Sequence, residues 1–319
     1  MAQATRRLFS AVLVGLGILG AGLAPVSAED AKLPVVASFS ILGDFVSRVG
    51  GDRVAVTTLV GPNGDAHVYE PTPADARSVA GAKLVIVNGL GFEGWLKKLA
   101  KASGTRAPIV EATKGIQPRE MAEEPDEHEK GHGKGGHDHH DHGAADPHAW
   151  QSVGNVKTYV ANIRDALVAA DPAGKAVYEA NAASYTAEIE ALEAEVKAAV
   201  AKIPADKRRV ITNHDAFGYF AAAYGITFLA PQGMSTEGEA TPKAVAKLIR
   251  QIKAEKITAV FIENMSDERL VKRIAQETGV TPGGTLYADA LSAKGGPAPT
   301  YVDMVRHNVS ALTKAMAGM

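Results

Sequence analysis

The sequence predicts an α/β protein of two lobes, each a mostly parallel sheet flanked by helices, joined by one long rigid helix. Three observations carry this expectation. Strand-like and helix-like segments alternate through both halves of the 319 residues, and such alternation builds parallel sheets covered on both faces. A run from 175 to 203 contains neither Gly nor Pro. Between the halves lies a tract rich in charge, Gly and His and nearly empty of large apolar side chains. That tract cannot bury enough surface to offset its ordering entropy, so a mobile loop is expected there.

Residues 1–28 read as an export signal. Arg6 and Arg7 form a positive start, 8–23 an apolar stretch, and Val26-Ser27-Ala28 a small-residue cleavage site. Four glycines interrupt the apolar stretch, which speaks against a membrane anchor. Thr5-Arg6-Arg7-Leu8-Phe9 is similar to a twin-arginine signal, so the export route is open. The chain has no cysteine, hence no lipidation point at the cleavage site and no disulfides. A protein free in the periplasm is expected, held together by its cores alone. Loss of Arg6 and Arg7 takes the net charge from −2 to −4, too mild to argue for nucleic acid or an anionic membrane surface.

The first lobe is expected over 29–170. Its strands are 33–38, 53–60, 83–88 and 107–112, with helical spacing in 40–50, 73–81 and 92–102. Thr72 before Pro73, with Asp75 three residues on, marks a helix start. The mobile His-rich loop is assigned to 118–146, and a further helix begins near Val153. A linking helix follows over 171–204, with Asp171 as cap and Pro172 in its first turn. Tyr185, Ile189, Leu192, Val196, Val200 and Ile203 recur along it at steps of three and four. About 28 residues at 1.5 Å each give a length on the order of 42 Å. One apolar stripe between two α/β halves fits a spine packed across both lobes better than a dimer seam, so a monomer is expected. The second lobe, 205–319, repeats the scheme. Its strands are 209–213, 226–231, 257–263 and 284–288, and its helices lie near 216–223, 242–254, 266–278 and 300–316.

The histidines locate the chemistry. Six of the ten, His128, His132, His137, His139, His140 and His142, fall in the mobile tract. Each ion bound there must order chain, so the tract should bind metal weakly, as an accessory collector. His67, His148 and His214 instead map to loops at the carboxyl ends of strands, where open α/β sheets bind ligands. Any one of them could be a histidine satisfied by local hydrogen bonds, and His307 reads as an unrelated surface residue. Three imidazoles need a fourth donor to close a tetrahedral site. Asp289, in TLYADALS, ends the last strand, with Glu263 and Asp215 as rival carboxylates.

The motifs GPNGDAHVYEPTPAD, ADPHAW, NHDAFGYF and LYADALS resemble, in order, the four ligand motifs of the zinc- and manganese-specific solute-binding proteins of ABC importers. The likeness runs through the long helix and the His-rich loop. In that family two α/β lobes clamp one metal ion, which implies His67, His148, His214 and Asp289 as ligands here. Two positions depart from the family pattern: Ala66 where Pro is common, and Ala290 where Ser is common. Neither removes a donor atom. Manganese-binding relatives tend to replace the third histidine by a carboxylate, so His214 and the His-rich loop imply the zinc branch and Zn²⁺ as cargo. The implied partners are a membrane permease with its ATPase, and a periplasmic zinc chaperone is a further candidate. A zinc hydrolase is the rival class, but the sequence has no H-E-x-x-H and no paired carboxylates beside the histidines. Binding rather than catalysis is expected.

Overall fold

The first strand, β1 (Leu33–Phe39), buries its last five residues, as a strand covered on both faces must. The computed structural model describes Met1, residues 31–120 and residues 145–318. The export signal and the six tract histidines, His128, His132, His137, His139, His140 and His142, lie outside the described residues. Among the described residues no helix is long and apolar enough to cross a membrane.

β2 (Val54–Val60), β1, β3 (Leu84–Val87) and β4 (Ile109–Glu111) lie side by side in that order, all parallel. Helices α1 (Ser40–Gly50), α2 (Pro73–Gly81) and α3 (Leu96–Ser103) connect them. The expected start of α2 is present. Thr72 Oγ1 accepts from Asp75 N while the Asp75 carboxylate accepts from Thr72 N. The third helix starts four residues later than its apolar spacing suggests. Glu93 turns inward instead, accepting from Ser38 Oγ and from the backbone of Asn88 and Gly89. Gly89 and Gly91, with φ of +88° and +81°, let the loop turn this tightly.

After α4 (Val153–Ala170) comes the long helix α5 (Lys175–Ala201), 27 residues. Asp171 does not cap it. Its carboxylate accepts from Arg53 Nε and Tyr178 Oη, and the helix enters through a 3-10 turn at Pro172–Gly174. Tyr178, Ala182, Tyr185, Ile189, Leu192, Val196 and Val200 form its buried stripe, close to the expected one. That stripe packs against α1 and α4 on one side and α9 (Tyr301–Ala317) on the other. Arg306 of α9 also grips Glu195 of α5 with two hydrogen bonds of 3.0 Å. One continuous core runs from the first sheet through α5 to α9.

In the second lobe β6 (Thr227–Leu229), β5 (Arg209–Ile211) and β7 (Ala259–Val260) form one parallel set. β8 (Ile262–Glu263) and β9 (Thr285–Leu286) form another. The sequence suggests one strand over 257–263. It breaks because Phe261 N donates to Ile211 O and Ile262 N donates to Gly284 O, handing the chain from one neighbour to the next. The handover needs two glycines. A Cβ on Gly283 would stand 2.8 Å from the Phe261 ring, and Gly284 has φ of +113°. Helices α6 (Gly218–Tyr224), α7 (Pro242–Glu255) and α8 (Glu268–Thr278) complete the lobe. α7 and α8 cover a second, smaller core centred on Ile211 and Val260.

Candidate metal centre

Both first-lobe histidines follow the same local device. In Asp65-Ala66-His67 the Asp65 carboxylate accepts from His67 N at 2.9 Å. In Asp146-Pro147-His148 the Asp146 carboxylate accepts from His148 N at 3.0 Å. An aspartate two residues ahead thus fixes the backbone of each histidine by a local side-chain turn. His67 lies on the loop leaving β2, and Trp95 Nε1 steadies it with a bond to Ala66 O. His148 precedes the 3-10 turn Ala149–Gln151. His214 follows β5, and Asp289 follows β9.

The fold brings these four side chains together. One donor atom from each lies within 4.8 Å of the others, and all four residues are buried. His67 Nε2 is 3.3 Å from both His148 Nε2 and Asp289 Oδ2. Asp289 Oδ1 is 3.6 Å from His148 Nε2, and Asp289 Oδ2 is 3.0 Å from His214 Nε2. A tetrahedron with bonds of about 2.0–2.1 Å has edges of roughly 3.3 Å, so these separations suit one small cation. The two ring nitrogens of His67 and His148 are within hydrogen-bonding reach of each other, but the approaches of Asp289 to the imidazoles do not have hydrogen-bond geometry. His214 Nε2 and both Asp289 oxygens are buried polar atoms without a hydrogen-bond partner among the described residues, a costly arrangement that a bound cation relieves.

Carboxylates behind the cluster orient it. Asp146 Oδ1 lies 2.9 Å from His148 Nδ1, and Glu263 Oε2 makes a very short contact with His214 Nδ1. Glu263 Oε1 also accepts from the backbone of Asn213 and His214. With Nδ1 engaged in this way, each ring turns its Nε2 lone pair toward the cluster. Glu263 is therefore an orienting group and does not compete with Asp289 as a donor. Asp215, the other rival, is exposed and stands outside the cluster. His307 is half-buried, and its Nε2 lies 2.9 Å from Thr285 O. Burial opposes charge on His214, yet Glu263 and Asp289 together hold its imidazole well above the ordinary value. Burial likewise opposes charge on Asp289, and the imidazoles of His214 and His148 hold its carboxyl well below the usual range.

Sequence reasoning does not single out Asp146, Asp65 or the aromatic floor. Phe92 meets the His67 ring edge-on at 4.8 Å between centroids, and Trp150 stands 5.3 Å from the His148 ring. The repeated Asp-x-His is a readable signal for the two aspartates. Phe92 has none, because its place depends on the inward turn of Glu93.

Comparison with known proteins fits this geometry. The family model for the periplasmic component A of the zinc-uptake complex matches residues 35–315. A manganese-binding lipoprotein, MntA of Halalkalibacterium halodurans, is 33% identical over 97% of this chain and 98% of its own. The iron-binding protein YfeA of Yersinia pestis is 34% identical, covering 96% of this chain and 94% of its own. The solved periplasmic zinc-binding protein TroA of Treponema pallidum superimposes with a TM-score of 0.80 at 27% identity, over 89% of this chain and 99% of that one. The family match over nearly the whole described fold, with buried donors gathered between two α/β lobes, shows that this chain belongs to the metal-binding substrate-binding proteins of ABC importers.

Proposed function

We propose that the protein captures Zn²⁺ in the periplasm, holding it on His67, His148, His214 and Asp289, and delivers it to its importer. Family membership makes it a binding protein that works with a membrane permease and ATPase, not an enzyme. The observation that carries the zinc reading is the donor set: three buried imidazoles and one carboxylate at near-tetrahedral separations. Imidazole nitrogen suits Zn²⁺, whereas Mn²⁺ favours more oxygen and higher coordination. Glu263 adds no oxygen, because His214 Nδ1 and two backbone amides occupy it. The curated relatives that name one metal name mostly manganese, with one iron, and zinc is named for a solved structure, so the zinc reading is argued from the donors alone. Manganese is the second reading. Both oxygens of Asp289 approach the imidazoles, and bidentate use of them would raise the coordination number.

Competition between Zn²⁺ and Mn²⁺ for the purified protein, read by bound metal content, decides between the two. Zinc should win by orders of magnitude, and equal or preferential manganese loading would refute the zinc reading. His214→Glu should shift the preference toward manganese and lower affinity overall, since the surroundings of residue 214 are built for imidazole. An unchanged preference would count against His214 as a ligand.

Glu263→Gln tests the orienting shell. The amide keeps the shape but holds the His214 ring less firmly, and zinc affinity should fall about 10–100-fold. Isothermal titration measures it; wild-type affinity in this variant would show that the Glu263–His214 contact does not tune the site.

A further inference from the structure

The four donors are not equally enclosed. His148, His214 and Asp289 are 0% exposed, whereas His67 is 7% exposed and its neighbour Val68 is 49% exposed. His67 is thus the least enclosed of the four. The other donor segments are fixed by buried bonds. Asp146 and Glu263 hold the two fully buried histidines. Trp150 Nε1 and Gln151 Nε2 both donate to Ala288 O, directly before Asp289. In the loop 61–67 one buried bond, from Trp95 Nε1 to Ala66 O, holds the His67 end, and the rest is held by contacts to the second lobe. Asn63 N donates to Leu291 O at 2.9 Å, and Asn264 Nδ2 donates to Asn63 Oδ1 at 3.0 Å. Thr236 Oγ1 donates to Asp65 Oδ2 at 2.7 Å.

We propose that loop 61–67 is the exchange gate of the metal site and that Asn63 is the clasp that sets how fast it opens. This rests on the metal-site reading above. Asn63 is well placed for the task. Asn264, its side-chain partner, directly follows Glu263 and also donates to Ala290 O beside Asp289. One residue thus ties the His67 loop to both second-lobe segments of the site. Asn63 also has φ of +57°, a left-handed conformation that Asn tolerates better than most residues. Its side-chain bond to Asn264 is exposed, where water can replace it, so it can open without unmaking the core. Asn63 touches no donor atom; it positions the loop that carries one. The clasp can form whether or not an ion is held, so weakening it should speed entry and exit together.

Asn63→Gly is the direct test, because glycine keeps the positive φ and removes only the side-chain acceptor. Asn63→Asp restores an acceptor in the same backbone conformation. Stopped-flow release of Zn²⁺ from the full chain into excess EDTA would be read on its slowest phase, with capture measured in the reverse mix. Losing one such hydrogen bond should accelerate both steps about three- to tenfold in the glycine variant, leaving affinity within about twofold. The aspartate variant should keep wild-type rates. Wild-type release from Asn63→Gly, with tight binding intact, overturns the clasp alone. A fall in affinity with a lower melting temperature of the metal-free variant makes Asn63 a structural residue and also overturns it. A wild-type chain that takes up no Zn²⁺ sinks the metal site itself, and the clasp with it.

Discussion

Asp289→Ala is expected to weaken metal binding about 10²–10³-fold, the largest loss from any single substitution considered. Zinc held by four protein donors is worth roughly 10–16 kcal/mol near neutral pH, or about 2.5–4 kcal/mol per donor, and each 1.4 kcal/mol is about tenfold. Asp289 is the one anionic donor of the four. Against its burial, His214 and His148 hold its carboxyl well below the usual range, so it faces the cluster as a carboxylate. The same charge has an opposing effect. With Glu263, and against burial, Asp289 raises the His214 pKa, and a metal must displace that proton. Affinity should therefore increase with pH through neutrality, continuing above the ordinary imidazole value of about 6.5. In Asp289→Ala one of the two carboxylates is gone, so the pH window of proton release should move down while affinity drops throughout. Competition with a fluorescent chelator at several pH values measures both. Affinity within tenfold of wild type would remove Asp289 from the site.

Much of this centre is legible in the amino-acid sequence, and the limits have a physical cause. His67, His214 and Asp289 can be picked out because each lies on the loop that leaves a strand, and the carboxyl edge of an open α/β sheet is where ligands gather; His148, 37 residues past β4, has no such strand before it. The α5 stripe is readable because helical periodicity is a local property. Glu263 is visible as a carboxylate at a strand end but not as the partner of His214, 49 residues away; only the parallel pairing of β5 and β7 brings the two together. Phe261 reads locally as the middle of one strand, because nothing nearby says that a chain will leave one neighbour for another. Its break depends on Gly283 and Gly284, more than twenty residues downstream. Asp171 misleads for a related reason. Its position suits a cap, but Arg53, remote in sequence, takes the carboxylate.

Metal loading should raise the melting temperature by about 10 °C without a wide movement of the lobes. Mass action gives about 4 kcal/mol when the free metal is ~1,000 times its dissociation constant, and for a chain of this size each kcal/mol moves the midpoint by a few degrees. An ion held at the proposed site would join His67 and His148 of one lobe to His214 and Asp289 of the other, which suggests closure around a hinge. The connections between the lobes argue otherwise. Tyr301 N donates to Asp44 Oδ2, Leu291 N to Ser40 Oγ, and Trp150 Nε1 and Gln151 Nε2 to Ala288 O. None of these bonds uses a donor atom of the cluster. Beneath them α5 packs against helices of both lobes within one continuous core. Swinging the lobes apart would expose that core, whereas shifting the loop around His67 would leave those bonds in place. Calorimetry and small-angle scattering of metal-free and Zn²⁺-loaded protein separate the alternatives. A midpoint rise with an unchanged radius of gyration is the expected pair of results. A change of about 2 Å or more, on a radius of roughly 19 Å for ~290 residues, would show that α5 acts as a hinge and that the response is not confined to the loop around His67.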